Sequence, residues 1–206
     1  MSETDSLDSL QPPADPTRRR LLTAATGVVG AVGVGAAAWP FLASLRPSAK
    51  AKIVGAPVEV FIGNLEPGQM QRVQWRGQTI GIMRRTDNML AQLPDLEGRL
   101  RDPNSEADQQ PEYAANVHRS IRPEILVLNI HCTHLGCIPQ VLPEVEAQPF
   151  DPDWRGGFFC PCHRSRFDLA GRVYNGVPAA LNLLVPPYSF PDDEHVIIGV
   201  DHEGAS

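Results

Sequence analysis

Two mixed cysteine and histidine stretches, Cys132-Thr133-His134 and Cys160-Pro161-Cys162-His163, constrain this chain more than any other feature. Together they offer two thiolates and two imidazoles. An iron–sulfur centre with two cysteines on one iron and two histidines on the other needs that set. Tetrahedral zinc accepts the same donors, but its usual spacing pairs cysteine with cysteine and histidine with histidine. The chain's other two cysteines, Cys137 and Cys162, fit no four-coordinate site. One stands in each stretch, where a disulfide would latch the two loops together; buried free thiols are the alternative.

The full loops, Cys132-Thr133-His134-Leu135-Gly136-Cys137 and Cys160-Pro161-Cys162-His163-Arg164-Ser165, resemble those of the Rieske iron-sulfur subunit of quinol:cytochrome c oxidoreductase. The resemblance covers nearly all of 17–201, with its specific motifs at 131–181. It implies one [2Fe–2S] cluster held by Cys132, His134, Cys160 and His163, and a disulfide between Cys137 and Cys162. His163 would be the quinol-facing ligand, His134 the other exposed ligand, and Leu135 an apolar contact at the docking tip. Ser165 matches the family serine that donates to a bridging sulfide. Phe167 stands where some members carry a tyrosine that donates to a cysteine sulfur, so the potential is expected to lie below theirs. Gly176-Val177-Pro178-Ala179-Ala180 resembles the family's Gly-x-Pro-Ala-Pro loop, with Ala180 replacing the second proline.

The same resemblance implies a mainly β fold: an antiparallel β-sandwich over 57–206 with a cluster-binding part at about 130–181, preceded by a single N-terminal transmembrane helix. The implied function is electron transfer from ubiquinol to a c-type cytochrome within a proton-translocating cytochrome bc complex. Its partners would be the b-type and c-type cytochrome subunits, in a dimeric assembly.

The N-terminal third reads as targeting and anchorage. Residues 1–16 are polar and acidic and are expected to be a disordered cytoplasmic tail. Arg18, Arg19 and Arg20 then lead into an uncharged apolar run from Leu21 to Leu45, so 17–45 is a twin-arginine signal and membrane anchor. A cleaved signal peptide shares this pattern, but the apolar run is longer than a usual signal core and continues past Ala36-Ala37-Ala38. The arginines place the N-terminus in the cytoplasm and the domain in the periplasm, across a bacterial inner membrane. Residues 46–56 are small and polar, without strand or helix pattern, and read as a flexible hinge.

Charge narrows the partners. Residues 57–206 carry 20 acidic side chains against 12 arginines and no lysine, a net of −8, which excludes a nucleic-acid role for lack of a basic stripe. Arg155, Arg164, Arg166 and Arg172 cluster around the second loop, facing Asp168 alone, and read either as a mildly positive tip or as ordinary solvated charges.

Short β-type runs are expected at Val58–Ile62, Gln71–Trp75, Thr79–Arg84, Ile125–Ile130, Gly157–Cys160 and Val196–Val200. The polar stretch 86–122 is expected to hold one helix or an irregular insertion. His118, His131, His195 and His202 read as ordinary strand or surface histidines, and Trp154, Phe158 and Phe159 as packing residues.

Overall fold

The computed structural model describes residues 15–46, 48 and 55–202. Most of the 1–16 tail and of the 46–56 hinge lies outside them. The chain divides into two units, residues 1–51 and 52–206.

The first unit is helix α1, Pro16–Ser44. Asp15 caps it: its side chain accepts the Thr17 N–H at 2.9 Å, and Pro16 occupies the first turn, where a missing N–H costs nothing. At a rise of about 1.5 Å per residue, its 29 residues exceed the thickness of a hydrocarbon core. None of its side chains is buried by protein, so the apolar surface expected from Leu21 onward stays uncovered. Near its end the Arg46 guanidinium lies 5.7 Å from the centre of the Trp39 ring, a cation–π contact suited to a membrane boundary.

Among the described residues, the second unit holds three three-stranded antiparallel sheets. In the first, β1 (Val58–Phe61) and β8 (Tyr188–Ser189) flank β9 (His195–Ile198). In the second, β3 (Gln78–Arg84) lies between β2 (Met70–Trp75) and β4 (Ile125–Asn129). In the third, β6 (Gly157–Phe159) lies between β5 (Gln140–Leu142) and β7 (Arg166–Phe167). The β2–β3 hairpin turns through Arg76 and Gly77, both at positive φ (51° and 74°), the two-residue turn whose twist matches that of the strands. All five residues of β4 are buried, which is why Ile-Leu-Val-Leu reads as a continuous apolar run instead of an alternating one.

Every strand expected from the sequence is present within a residue or two. Strands β5, β7 and β8 were not expected; with two or three residues each, they are too short to display a period. The 86–122 stretch holds a short helix, α2 (Asp87–Ala91), and two 3₁₀ turns, Pro94–Arg99 and Glu112–Ala114. Thr86 starts α2 by accepting the Met89 N–H on its hydroxyl at 3.2 Å.

The arginine cluster departs from its surface reading. Arg172 is fully buried and pairs with an equally buried Asp168 at 2.7 Å. The Asp168 carboxylate also accepts the backbone N–H groups of Ala170 and Arg172 at 2.9 and 2.7 Å. Arg172 spends its remaining donors on the carbonyls of Leu93 and Pro103, so one ion pair fastens the 86–122 insertion to the strand β7 turn. Arg166 shares the buried Asp151 carboxylate with Arg99, at 3.1 and 2.6 Å. Only Arg155 and Arg164 of the four remain exposed. Two further arginines are buried as well: Arg85 donates to the carbonyls of His118, Pro123 and Leu169, and Arg119 to that of Ala170. Burial lowers both to about 10, which leaves them charged near neutrality.

Removing one partner of a buried pair leaves a charge that water cannot reach. Asp168→Ala is therefore expected to lower the unfolding free energy by about 3–5 kcal/mol. Urea denaturation followed by tryptophan fluorescence would measure it, and a loss well below that range would mean Arg172 is already satisfied by its carbonyls.

Candidate metal centre

Both loops begin where a strand ends. β4 stops at Asn129, three residues before Cys132, and β6 stops at Phe159, immediately before Cys160. They close in the same way. In the first, Cys132 N–H donates to the Cys137 carbonyl and Gly136 N–H to the Cys132 carbonyl, both at 2.8 Å. In the second, Cys160 N–H donates to the Ser165 carbonyl at 2.8 Å and Arg164 N–H to the Cys160 carbonyl at 2.9 Å. The fifth residue of each loop is left-handed, Gly136 at φ 80° and Arg164 at φ 64°, which turns the chain back on itself within six residues.

A disulfide joins Cys137 to Cys162, 25 residues apart, and so joins one loop to the other. Closing a loop of that length contributes roughly 3–4 kcal/mol in the chain-entropy picture. The sulfurs of Cys137 and Cys162 lie within 4.8 Å of the Cys160 sulfur, but once oxidised they cannot serve as thiolate ligands.

The remaining donors form two pairs. Cys132 and Cys160 are free and buried, at 3% and 1% exposure. Burial pushes the Cys132 thiol up; the His134 backbone N–H and the Ser165 hydroxyl act against that, whereas the adjacent Cys160 thiol adds to it. The His134 and His163 rings meet edge to face, with centroids 4.7 Å apart; His134 is half-buried and His163 exposed. One buried thiol pair and one outward imidazole pair, each drawing one member from each loop, is the donor chemistry that a [2Fe–2S] cluster with mixed ligation requires.

The 176–181 segment is tied to both loops. The Ser165 hydroxyl, fully buried, accepts the Ala179 N–H at 3.0 Å, leaving its own proton available to a sulfur. Thr133 Oγ1 donates to the Leu181 carbonyl at 2.6 Å. These bonds hold the segment where Ala180 replaces a proline. Phe167 is fully buried and faces Phe158 across the β6–β7 pair. Leu135, the fourth residue of the first loop, is 71% exposed.

His131 has a role that its sequence position did not signal. Its Nε2 lies 3.0 Å from the Thr79 N–H and its Nδ1 3.1 Å from the Gly136 carbonyl. A backbone N–H only donates and a carbonyl only accepts, so the imidazole is the neutral tautomer with its proton on Nδ1. It braces the first loop against β3. Nothing in the spacing around Cys132 distinguishes such a brace from any other strand histidine.

A family model described as the Rieske [2Fe-2S] domain matches residues 57–188, and one described as the ubiquitinol-cytochrome C reductase Fe-S subunit TAT signal matches residues 9–48. The ubiquinol-cytochrome c reductase iron-sulfur subunit of Allochromatium vinosum is 52% identical over 188 residues, 91% of this chain and 91% of that protein. Its counterpart in Blastochloris viridis is 42% identical over 190 residues, 90% and 94% of the two chains. The mitochondrial cytochrome b-c1 complex subunit Rieske of Solanum tuberosum is 40% identical over 201 residues, 95% of this chain and 67% of that one.

His131→Gln supplies an acceptor and a donor on a similar reach and is expected to retain wild-type stability. His131→Leu strands the Thr79 N–H, in a residue that is buried, and is expected to cost about 1–2 kcal/mol. Urea unfolding of the two variants side by side would decide, and equal losses would show that the brace contributes nothing specific.

Proposed function

The chain belongs to the family of ubiquinol-cytochrome c reductase iron-sulfur subunits, and from that premise we propose that it carries single electrons from a membrane quinol to a c-type cytochrome. The observation that supports this most directly is the pairing of a buried dithiol with two imidazoles in edge-to-face contact, His163 of them exposed, in two loops locked by one disulfide. Cys132 and Cys160 would hold one iron, and His134 and His163 the other. When bound there, a Rieske [2Fe–2S] cluster accepts one electron and gives it up again.

The protein's own residues supply the rest. The exposed His163 receives the quinol's hydrogen bond, and then its proton, on the ring nitrogen left free of metal. The Ser165 hydroxyl, oriented by Ala179 N–H, donates to sulfur and favours the reduced state. Phe167 offers no such donor, which sets the potential below that of tyrosine-bearing relatives. Leu135 provides an apolar contact for the cytochrome surfaces at which the domain alternates.

The same reading assigns the b-type and c-type cytochrome subunits as partners, in a dimeric complex. It places α1 as an uncleaved single-pass anchor in the cell inner membrane, with Arg18–Arg20 cytoplasmic and the 57–206 domain periplasmic. An oxidising compartment agrees with the disulfide, and an apolar helix with nothing buried against it agrees with a membrane span. Residues 46–56 act as the hinge that lets one site serve both redox partners.

Three measurements test this reading. Replacing Cys132, His134, Cys160 or His163 is expected to abolish the Rieske EPR signal, and a wild-type chain with stoichiometric zinc and no signal would refute it. Phe167→Tyr is expected to raise the midpoint potential; an unchanged value would place residue 167 out of reach of the sulfurs. Prolines across Ser48–Lys52 are expected to leave the spectrum intact while removing most quinol:cytochrome c turnover. Full turnover with a stiffened linker would rule out movement about this segment.

A further inference from the structure

The two ligand loops share one backbone pattern but not one residue at its tightest point. Their hydrogen bonds match position for position, and both need a left-handed fifth residue. The first loop uses Gly136, at φ 80°; the second uses Arg164, at φ 64°. An arginine held there is strained where glycine would not be, and strain of this kind is retained where a side chain has work to do.

The Arg164 side chain is exposed and, among the described residues, has no hydrogen bond or ion pair. Its neighbours are all engaged: Arg166 with Asp151, Arg172 with Asp168, and Arg155 with the Gln92 side-chain oxygen at 3.3 Å. Together with His163 it lines a cleft of about 340 Å³, walled further by Phe150, Arg166, Val177 and Pro178, and no acidic residue lines that cleft. Asp151, which pairs with the cleft residue Arg166, is buried and already shared with Arg99.

The surrounding surface makes this guanidinium conspicuous. Among the described residues of 57–206, Arg85, Arg119 and Arg172 are buried, whereas Asp151 and Asp168 are the only buried acidic ones. The exterior is therefore more negative than the composition alone indicates. A free positive charge beside the exposed imidazole is a point at which this negative domain can accept a carboxylate next to the redox site, and a guanidinium fork matches a carboxylate in geometry as well as charge.

We propose that Arg164 is a docking residue that pairs with an aspartate or glutamate side chain on the electron-accepting protein, holding that protein's redox group against the His163 face. The proposal rests on the reading of His163 as a cluster ligand. It accounts for an arginine where the fold favours glycine.

The test uses the full chain in its assembled complex, as wild type and as Arg164→Gly, Arg164→Lys and Arg164→Glu. With the cluster reduced beforehand, the c-type haem is oxidised by a flash and its re-reduction followed, so that quinol chemistry lies outside the measured step. At about 0.01 M salt the glycine variant is expected to be roughly fivefold slower than wild type, the scale of one solvent-accessible charge pair, with lysine within twofold and glutamate slower than glycine. At about 1 M salt, where screening acts within roughly 3 Å, all four rates should converge. Because Arg164→Gly relieves the backbone, it should also resist urea at least as well as wild type. Equal rates for wild type and Arg164→Gly at low salt would overturn the proposal. So would a deficit that persists undiminished at high salt, which marks a changed driving force instead of a charge pair. EPR on the same samples separates the two levels: no Rieske signal in wild type defeats the ligand reading, whereas an intact signal with equal rates defeats only the pairing.

Discussion

The disulfide between Cys137 and Cys162 is the constraint on which the candidate site depends. Each loop by itself is a six-residue turn that, besides its disulfide cysteine, carries one free cysteine and one histidine, and neither alone has donors enough for a cluster. Joined, they turn the two thiols inward and the two imidazoles outward as one unit. The sheets make that joining possible, because β4 and β6 deliver the loops from separate sheets with the same hydrogen-bonded closure. The 176–181 segment completes the enclosure through two bonds, one to Ser165 and one to Thr133.

Beneath the loops lies an unusual amount of buried charge. Asp168 and Arg172 are inaccessible to water, as is Arg119, and Arg85 and Asp151 are nearly so. Burying ions is costly unless each finds partners, and here the partners are mostly backbone carbonyls from the 86–122 insertion and from the turns around it. The arrangement explains how a stretch with little regular structure is held in a fixed position: its carbonyls are ligands for guanidinium groups. It also removes positive charge from the exterior, while Arg164 beside His163 stays exposed.

Much of this was legible in the chain itself, for reasons that differ from element to element. Helix α1 was legible because an uncharged apolar run from Leu21 to Leu45 is long enough to cross a hydrocarbon core, where a lone segment satisfies its backbone only as a helix. The longer strands were legible because β-branched and aromatic residues recur between turn residues, and β4 because a short wholly apolar run implies burial on both faces. Strands β5, β7 and β8 were not, since two or three residues carry no period. The surface reading of Arg172 failed because a charge beside a cysteine loop looks the same in sequence whether it faces water or an aspartate four residues earlier. His131 was passed over for a similar reason: its partners, Thr79 and Gly136, are backbone groups, and backbone groups leave no mark in a sequence.

What the sequence determined by itself is therefore the chemistry: which donors exist, that they come in two mixed sets, that two further cysteines accompany them, and that an apolar span precedes the domain. These follow from residue type and local spacing, which need no knowledge of the fold. What only the tertiary structure decided is the use of that chemistry. It buried two thiols side by side and set two imidazoles edge to face, used Asp151 and Asp168 to pair three arginines, and left Arg164 without an ion pair among the described residues, on a left-handed backbone. Burial depends on contacts between residues tens of positions apart, and even Asp168 and Arg172, four residues apart, are shut from water only where carbonyls of the 86–122 insertion meet them, which no stretch of sequence contains.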